Sequence, residues 1–216
     1  MTRYFFTVLL LILSISVPIG LSMQENQGVD LASVPVPSDE DASDESLEPR
    51  TPLTDIAGHW AENDINNLYQ TNIINGYGDG RFGPNDRVTR TQFLTIALRA
   101  LNYDAPEDAF ADFAYSVGII SNLDLWKNYG DEPVTRAEAL KILLNAGNLE
   151  AGDELSPNFP DVDIVNDWFA NYSAFAMAQG IVTGDASGNF NGSDFVTRAE
   201  TCALTLRIME RQPSDI

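Results

Sequence analysis

The sequence contains one cysteine, Cys202, and one histidine, His59, among its 216 residues. A single thiol cannot form a disulfide within the chain, so the folded part must be stabilised by packing. Cys202 falls on the apolar stripe of a predicted helix, which favours a buried core residue over a nucleophile. One histidine cannot supply a histidine-rich metal site, and no nucleophile-elbow motif is present. We therefore expect neither a metal, nor a cofactor, nor an enzyme.

Basic residues are also scarce, with 12 Lys and Arg against 32 Asp and Glu and a formal net charge of −20. Residues 53–216 remain acidic, with 24 acidic and 10 basic residues and a net charge of −14. Neutralising phosphates requires a basic face, so this composition argues against nucleic acid as a partner. The acidity favours solubility but does not identify a partner.

Long apolar runs are absent apart from residues 4–17, which follow Arg3 and precede Pro18 and Gly20. This arrangement is typical of a secretory signal peptide, which we assign to residues 1–22 with cleavage after Ser22. The alternative is an uncleaved anchor that would attach the protein to a membrane. The run is shorter than the roughly 20 residues that a spanning helix needs, which favours cleavage.

Residues 23–52 combine a Val-Pro-Val-Pro sequence with a dense acidic run at 38–45 and contain no aromatic residue. Like charges repel one another and prolines oppose helix formation, so we predict a disordered acidic linker. A spacer is the simpler interpretation, and a specific acidic recognition segment is the alternative.

The folded part is organised by a spacing that occurs three times. An Ile-Ile or Ile-Val pair is followed, fourteen residues after its second member, by Val-Thr-Arg. Such a period indicates repeated structural units. We assign them to residues 53–105, 106–158 and 159–211. The three pairs with their Val-Thr-Arg sequences are Ile73-Ile74 with Val88-Thr89-Arg90, Ile119-Ile120 with Val134-Thr135-Arg136, and Ile181-Val182 with Val196-Thr197-Arg198.

Each Val-Thr-Arg sequence predicts the start of an amphipathic helix. The apolar residues recur at helical spacing, as at Leu94, Leu98 and Leu101 in the first copy. Each threonine is followed three residues later by Gln or Glu, the pattern of a capping box. Three helices with one register predict a shared core, and Gly147 marks the end of the second.

The arginines at 90, 136 and 198 stand in the first helical turn, where a positive charge opposes the helix dipole. Three at the same offset suggest a cation placed beside free backbone N–H groups. Together these groups would hold a carboxylate or phosphate. An ion pair with a carboxylate of a neighbouring repeat is the equally weighted alternative.

A second helix precedes each loop in the first and third copies, near 61–71 and 168–179. Each is introduced by a short apolar-x-Asp sequence and a tryptophan, Asp55 with Trp60 and Asp161 with Trp168. Gly76 and Gly184 follow the helix exits, where they would let a ligand approach the backbone closely. The second copy departs from this pattern. It has Pro106 in place of tryptophan, and Asn122 and Trp126 in its loop.

These features resemble the S-layer homology (SLH) domain. The resemblance is carried by Leu53-Thr54-Asp55 with His59-Trp60, by the stretch 74–85, and by Val-Thr-Arg-Ala-Glu at 134–138 and 196–200. It covers about residues 53–211. The first copy has Thr91-Gln92 in place of Ala-Glu, and the second matches mainly in its Thr-Arg-Ala-Glu helix, so we regard it as degenerate.

The resemblance implies an all-α fold of three helix–loop–helix repeats arranged as a pseudo-threefold spindle. It also implies a secreted protein of the cell wall or cell surface that binds cell-wall polysaccharide noncovalently, with S-layer or envelope proteins as further partners. The expected ligand is an acidic secondary wall polymer, often pyruvylated in this family, or a peptidoglycan-linked glycan. The implied ligand-binding residues are Arg90, Arg136, Arg198, Gly76 and Gly184, with Asp55, Trp60, Asp161 and Trp168 as weaker candidates.

Two other classes of protein are open to comparison. A calcium-dependent, dockerin-like protein-interaction module is suggested by Asp79-Gly80 and Asp86, but the ladder of acidic calcium ligands is incomplete. A hydrolase would need a singled-out catalytic group. Pairs of carboxylates are plentiful in this sequence, but no pair is distinguished by its position as a catalytic group.

Overall fold

A computed structural model describes residues 50–153 and 157–212. The predicted signal peptide and residues 23–49 of the predicted linker lie outside the described residues. Within the described ranges no helix is long and apolar enough to cross a membrane.

The described residues form an all-α fold, which confirms the predicted fold class. A single 3-10 turn, Glu107–Ala109, precedes the third helix. Three isolated β-bridges join the segments that lead into the long helices. The seven α-helices of these ranges are α1 Glu62–Gln70, α2 Arg90–Ala100, α3 Phe110–Ser116, α4 Leu123–Asn128, α5 Arg136–Ala146, α6 Ala170–Ala178 and α7 Arg198–Met209.

Capping boxes start α2, α5 and α7, as predicted. In each, the threonine hydroxyl accepts from the backbone N–H three residues later, and the Gln or Glu side chain accepts from the threonine N–H. Two otherwise unpaired backbone donors are thereby satisfied at each start. The caps fix where all three long helices begin. Helix α5 ends at Ala146 with Gly147 as its C-cap, also as predicted.

The repeats are related by a pseudo-threefold axis. Val88 N–H donates to Val196 O at 3.2 Å, Val134 N–H donates to Val88 O at 3.0 Å, and Val196 N–H donates to Val134 O at 3.2 Å. These three bonds close a ring, so each repeat supplies one donor and one acceptor. The ring brings the starts of α2, α5 and α7 together around one axis.

The apolar core falls into two clusters rather than the single shared core that the register predicted. The larger includes Phe93, Leu98, Leu140, Leu144 and Ile208. The smaller joins the first repeat to one face of α7 and includes Ile65, Leu68, Phe82 and Cys202. The division arises because α1 packs on α7, whereas α3 and α6 pack on α2 and α5.

Burial confirms most predicted inward residues. Ile65, Leu68 and Tyr69 are buried in α1. Tyr172 and Met177 of α6 were predicted to be inward but are only partly buried. Cys202 is 1 % exposed, as expected for a core residue. Its burial raises the pKa of the thiol to about 12, so it carries no nucleophilic thiolate near neutral pH.

The second repeat differs most in its loop, where helix α4 occupies the position of the glycine-rich loops. The Asn122 side chain caps α4 by accepting from Leu125 N–H at 3.0 Å. Trp126 on this helix is 7 % exposed and belongs to the larger core cluster. The absent loop glycines are thus replaced by a short helix that has its own apolar anchor.

The described residues begin at Arg50, within the segment 23–52 that was assigned to the linker. The Arg50 guanidinium lies 3.7 Å from the centroid of the Tyr69 ring. It donates to Ile74 O at 3.1 Å and to Asn75 Oδ1 at 2.7 Å. Arg50 therefore packs on the first repeat, three residues before the boundary expected at residue 53.

Candidate functional site

Each repeat contributes a groove, and the cyclic arrangement assembles every groove from more than one repeat. The groove of each repeat consists of its own loop and long helix, next to the arginine of the preceding repeat around the axis. We call these the first, second and third grooves. Their cavities measure about 310, 300 and 530 Å³. The residues that define them are Asn75, Gly76, Gln92 and Arg198 in the first, Asn122, Glu138, Lys141 and Trp168 in the second, and Gly184, Glu200, Arg136 and Trp60 in the third.

Two of the three candidate arginines form ion pairs with the next repeat. Arg90 Nη2 lies 3.0 Å from Glu138 Oε1, and Arg136 Nη1 lies 3.1 Å from Glu200 Oε1. Both arginine side chains are largely buried, with 12 % of the Arg90 side chain and 23 % of the Arg136 side chain exposed. This is the alternative that the sequence left open, and it neutralises both cations within the protein.

The third arginine, Arg198, has a different environment. It is 9 % exposed, and its Nε donates to Phe82 O at 2.8 Å while Nη2 donates to Asn75 O at 2.6 Å. Its guanidinium lies 4.3 Å from the centroid of the Phe82 ring and 5.0 Å from that of Tyr77. Within the described residues, no carboxylate forms an ion pair with it.

The backbone N–H groups at these helix starts are not free, and that part of the prediction is wrong. Arg90 N–H donates to Glu132 O, Arg136 N–H to Asp194 O, and Arg198 N–H to Asp86 O, all at 2.8–2.9 Å. The next N–H of each helix donates to a carbonyl of the same neighbouring loop, and the third donates to the capping threonine. Any anion bound here must therefore be held by side chains.

Gly76 and Gly184 lie at the bottom of the first and third grooves, where each loop folds back on itself. A Cβ on Gly76 would lie 2.6 Å from Arg81 O, and one on Gly184 would lie 2.4 Å from the carbonyl carbon of Gly188. These glycines are required by the loop itself, because a side chain would meet backbone.

Asp55 and Asp161 fasten the same loops to the start of their repeats. The Asp55 carboxylate accepts from Phe82 N–H at 2.7 Å and Gly83 N–H at 2.8 Å. Asp161 accepts from Phe190 N–H and Asn191 N–H, both at 2.7 Å. Partial burial alone would raise the pKa of Asp55, but the backbone donors outweigh it and lower this pKa below its usual value. Both residues position the loops.

We expect the stabilising effect of Asp55 to depend on pH. Its lowered pKa means that the folded protein binds the proton less readily than the unfolded chain, so stability is lost as pH falls through the folded pKa. The difference in unfolding free energy between the wild type and Asp55→Asn should be largest near pH 6. It should shrink below about pH 4, where unfolded aspartates protonate.

Urea unfolding at a series of pH values measures this difference. Asp104→Asn is the control for loss of an exposed carboxylate. A gap between the wild type and Asp55→Asn that stays constant from pH 6 to pH 3 would contradict the assignment.

The two candidate tryptophans lie at groove edges and are exposed. Trp60 is 64 % exposed and lines the third groove, while Trp168 is 54 % exposed and lines the second. Lys141 Nζ lies 5.5 Å from the Trp168 ring centroid. The second repeat has Pro106, which is exposed, at the sequence position of these tryptophans. The structure thus places two tryptophans in two different grooves.

The sequence analysis missed a second role of Glu138 and Glu200, which it interpreted only as capping residues. Each uses Oε2 for the cap and Oε1 for the arginine of another repeat. Gln92 is the equivalent residue in the first copy. The glutamine at position 92, where the other two copies have glutamate, is the sequence signal that could have revealed the difference in charge between the copies.

Acidic groups in the described ranges do not converge on a metal position. No group of three or more His, Cys, Asp or Glu side chains is placed to hold an ion there. Asp185 in the third loop accepts from Asn191 Nδ2 and from Asn189 N–H and Ser187 N–H. These bonds, led by that with Asn191, lower its pKa. The loop carboxylate thus ties a turn, and the calcium-dependent alternative is not favoured.

Comparison with known families agrees with this architecture. The model of the S-layer homology domain matches residues 52–94 and 158–202. These segments are the first and third repeats up to the start of α2 and α7. The second copy lies outside both matches, which fits a degenerate repeat.

Related proteins include a surface-layer 125 kDa protein of Lysinibacillus sphaericus, 29% identical over 70% of this chain and 14% of the relative. An exoglucanase XynX of Acetivibrio thermocellus is 27% identical over 76% of this chain and 17% of the relative. A cellulosome-anchoring protein of the same organism is 25% identical over 65% of this chain and 36% of the relative. The chain therefore corresponds to a small part of each relative.

The helical repeats, the grooves and these matches define a module that anchors proteins at the cell surface. The chain contains S-layer homology repeats at residues 52–94 and 158–202. It is a secreted, cell-surface protein. S-layer homology domains are cell-surface anchoring modules, and the exoglucanase corresponds to this chain over only 17% of its own length.

Proposed function

We propose that this protein binds an acidic cell-wall polysaccharide noncovalently and is held at the cell surface by that contact. The observation that carries the proposal is the presence of exposed tryptophans at two grooves, Trp168 in the second and Trp60 in the third, and of arginines at two grooves, Arg136 in the third and Arg198 in the first. Trp60 and Trp168 offer flat apolar faces beside open grooves. Sugar rings stack on such faces, and a guanidinium pairs with a carboxylate.

The family resemblance suggests which polymer to test first. A secondary wall polymer with pyruvyl ketal groups carries one carboxylate on each modified sugar. The cellulosome-anchoring and surface-layer names of the relatives agree with attachment to a wall. Assembly with S-layer or envelope proteins is a compatible further role.

The overall charge shapes how binding takes place. The chain carries a formal net charge of −20, so it repels an acidic polymer at long range. Attraction is confined to the few cations in the grooves. Because salt screens exposed charges over about 8–10 Å, moderate salt should aid the encounter and affect the buried contacts less.

The test is cosedimentation of the purified protein with cell-wall sacculi, before and after the secondary polymer is chemically stripped. We expect the protein to pellet with intact sacculi, to remain soluble with stripped sacculi, and to be released by free polymer. The experiment is repeated with EDTA to separate polymer binding from a calcium effect. Equal pelleting with stripped sacculi would overturn the proposed ligand.

A further inference from the structure

The three grooves are not equivalent in charge, although the sequence motif makes their arginines look alike. Arg90 and Arg136 are paired with Glu138 and Glu200 of the next repeat. For Arg198, the residue of the next repeat that corresponds to Glu138 and Glu200 is Gln92, and both line the first groove. Each of the other two arginines thus has a built-in counterion, and Arg198 faces a neutral amide.

The amide differs from the carboxylate in one decisive respect. Glu138 and Glu200 each use one oxygen for the helix cap and the other for the arginine. Gln92 uses its single oxygen for the cap, accepting from Thr89 N–H at 3.2 Å. The remaining terminal group is an NH₂, which donates hydrogen bonds and cannot accept one from a guanidinium.

Arg198 is therefore a buried cation whose partners in the described residues are neutral. Two carbonyls and two aromatic rings surround it. Taking a charge out of water is costly unless an opposite charge compensates for it. An anion in the first groove would supply that charge, and it would also accept from the Gln92 amide.

We propose that the first groove is the acid-specific subsite of this protein, and that Gln92 makes it so. This inference rests on the proposed polysaccharide function and assigns one groove to the carboxylate of the glycan. The second and third grooves take neutral sugar rings through Trp168 and Trp60. The described lining of the first groove contains no tryptophan, and the second repeat has Pro106 at the sequence position of the other two tryptophans.

The same charges explain why an acid is directed away from the other two grooves. In the second and third grooves the arginines are already occupied, Arg90 by Glu138 and Arg136 by Glu200, so an entering carboxylate would have to displace a carboxylate of the protein. The third groove is also lined by Asp185 and Asp194, and the cation that lines the second is Lys141, beside the Trp168 ring. Like charges at short range oppose binding. The described lining of the first groove contains Arg198 and Arg99 among polar uncharged and apolar side chains, with no carboxylate.

A matched pair of substitutions tests the inference without knowledge of the glycan. Gln92→Glu gives the first groove the counterion found in the others, and Glu200→Gln removes it from the third. Both variants should retain their helix caps, because the chain already uses each residue type at the equivalent position. Far-UV circular dichroism and thermal melting verify folding.

The probe is 2,2-dimethoxypropanoate, a small acid with the carboxylate and ketal carbon of a pyruvyl ketal. Its methyl ester serves as the uncharged control compound. Binding is followed on the full chain by NMR of the arginine Nε–H groups, with Arg198 assigned by substitution. We expect the Arg198 signal of the wild type to titrate with the acid, and the ester to bind at least tenfold more weakly.

In Gln92→Glu the affinity for the acid should fall at least tenfold. In Glu200→Gln the Arg136 signal should begin to titrate. Equal titration of Arg198 in the wild type and Gln92→Glu would overturn the inference, as would equal binding of the acid and its ester.

Cosedimentation with sacculi separates this inference from the proposed function. If the wild type binds sacculi and Gln92→Glu binds equally well, the function stands and the acid-specific groove is refuted. If the wild type fails to bind sacculi but Arg198 titrates as expected, the groove stands and the polysaccharide function is refuted.

Discussion

Replacing both Trp60 and Trp168 by alanine is expected to weaken binding to cell-wall sacculi roughly a hundredfold. Aromatic side chains at binding surfaces commonly contribute about 1–2 kcal/mol each, and 1.4 kcal/mol corresponds to a factor of ten. The two residues lie in different grooves, so their effects should be close to additive. Each single variant should lose about tenfold.

The fold should tolerate these changes. Both tryptophans are more than half exposed, and they make only peripheral contacts, with His59 and with Phe169 and Lys141. We expect each variant to lose less than about 1 kcal/mol of unfolding free energy.

Tyr115→Ala is the matched control, because this aromatic residue is 50 % exposed and lies on α3 outside the three grooves. Dissociation constants come from cosedimentation over a range of sacculus concentrations, and unfolding free energies come from urea titration. Binding of the double variant within threefold of the wild type would contradict stacking on these residues.

Replacing Phe190 by alanine is expected to lower the unfolding free energy by about 3–5 kcal/mol. Phe190 is 1 % exposed and holds the third loop against the core. Its ring centroid lies 5.3 Å from that of Phe159 and 5.7 Å from that of Phe169. Removing the ring leaves a cavity between these two residues and frees the loop that carries Gly184.

Phe195→Ala is the control, since Phe195 follows five residues later in the same loop but is 41 % exposed. This variant should lose less than about 1 kcal/mol. Urea unfolding of both variants measures the difference. Equal stability losses would show that the position of Phe190 in the core does not anchor the loop.

Local sequence signals predicted the helices well. The capping boxes at Thr89, Thr135 and Thr197 correctly placed the starts of three long helices. This succeeded because a cap is formed by residues three positions apart. Helix α4 was not predicted, because the second loop lacks an apolar period, and its Asn122 cap is a single residue.

Prediction of the site was partial for a different reason. The offset of Arg90, Arg136 and Arg198 singled them out, but it did not reveal their partners. Free backbone donors were expected there and are absent. The carbonyls that accept from them belong to loops 39 to 115 residues away, for example Gly130 for Thr91 and Pro84 for Ala199.

The linear chain decided the number of repeats, the helix starts and the apolar faces, because those properties depend on neighbours within a few positions. Which arginine is neutralised depended on the folded molecule. The partners of Arg90 and Arg136 stand 48 and 64 residues further along, and rotation about the pseudo-threefold axis brings them into contact. The same rotation brings Gln92 and Arg198 into the lining of the first groove. The amide of Gln92 is neutral, so it cannot neutralise Arg198 as the carboxylates neutralise Arg90 and Arg136.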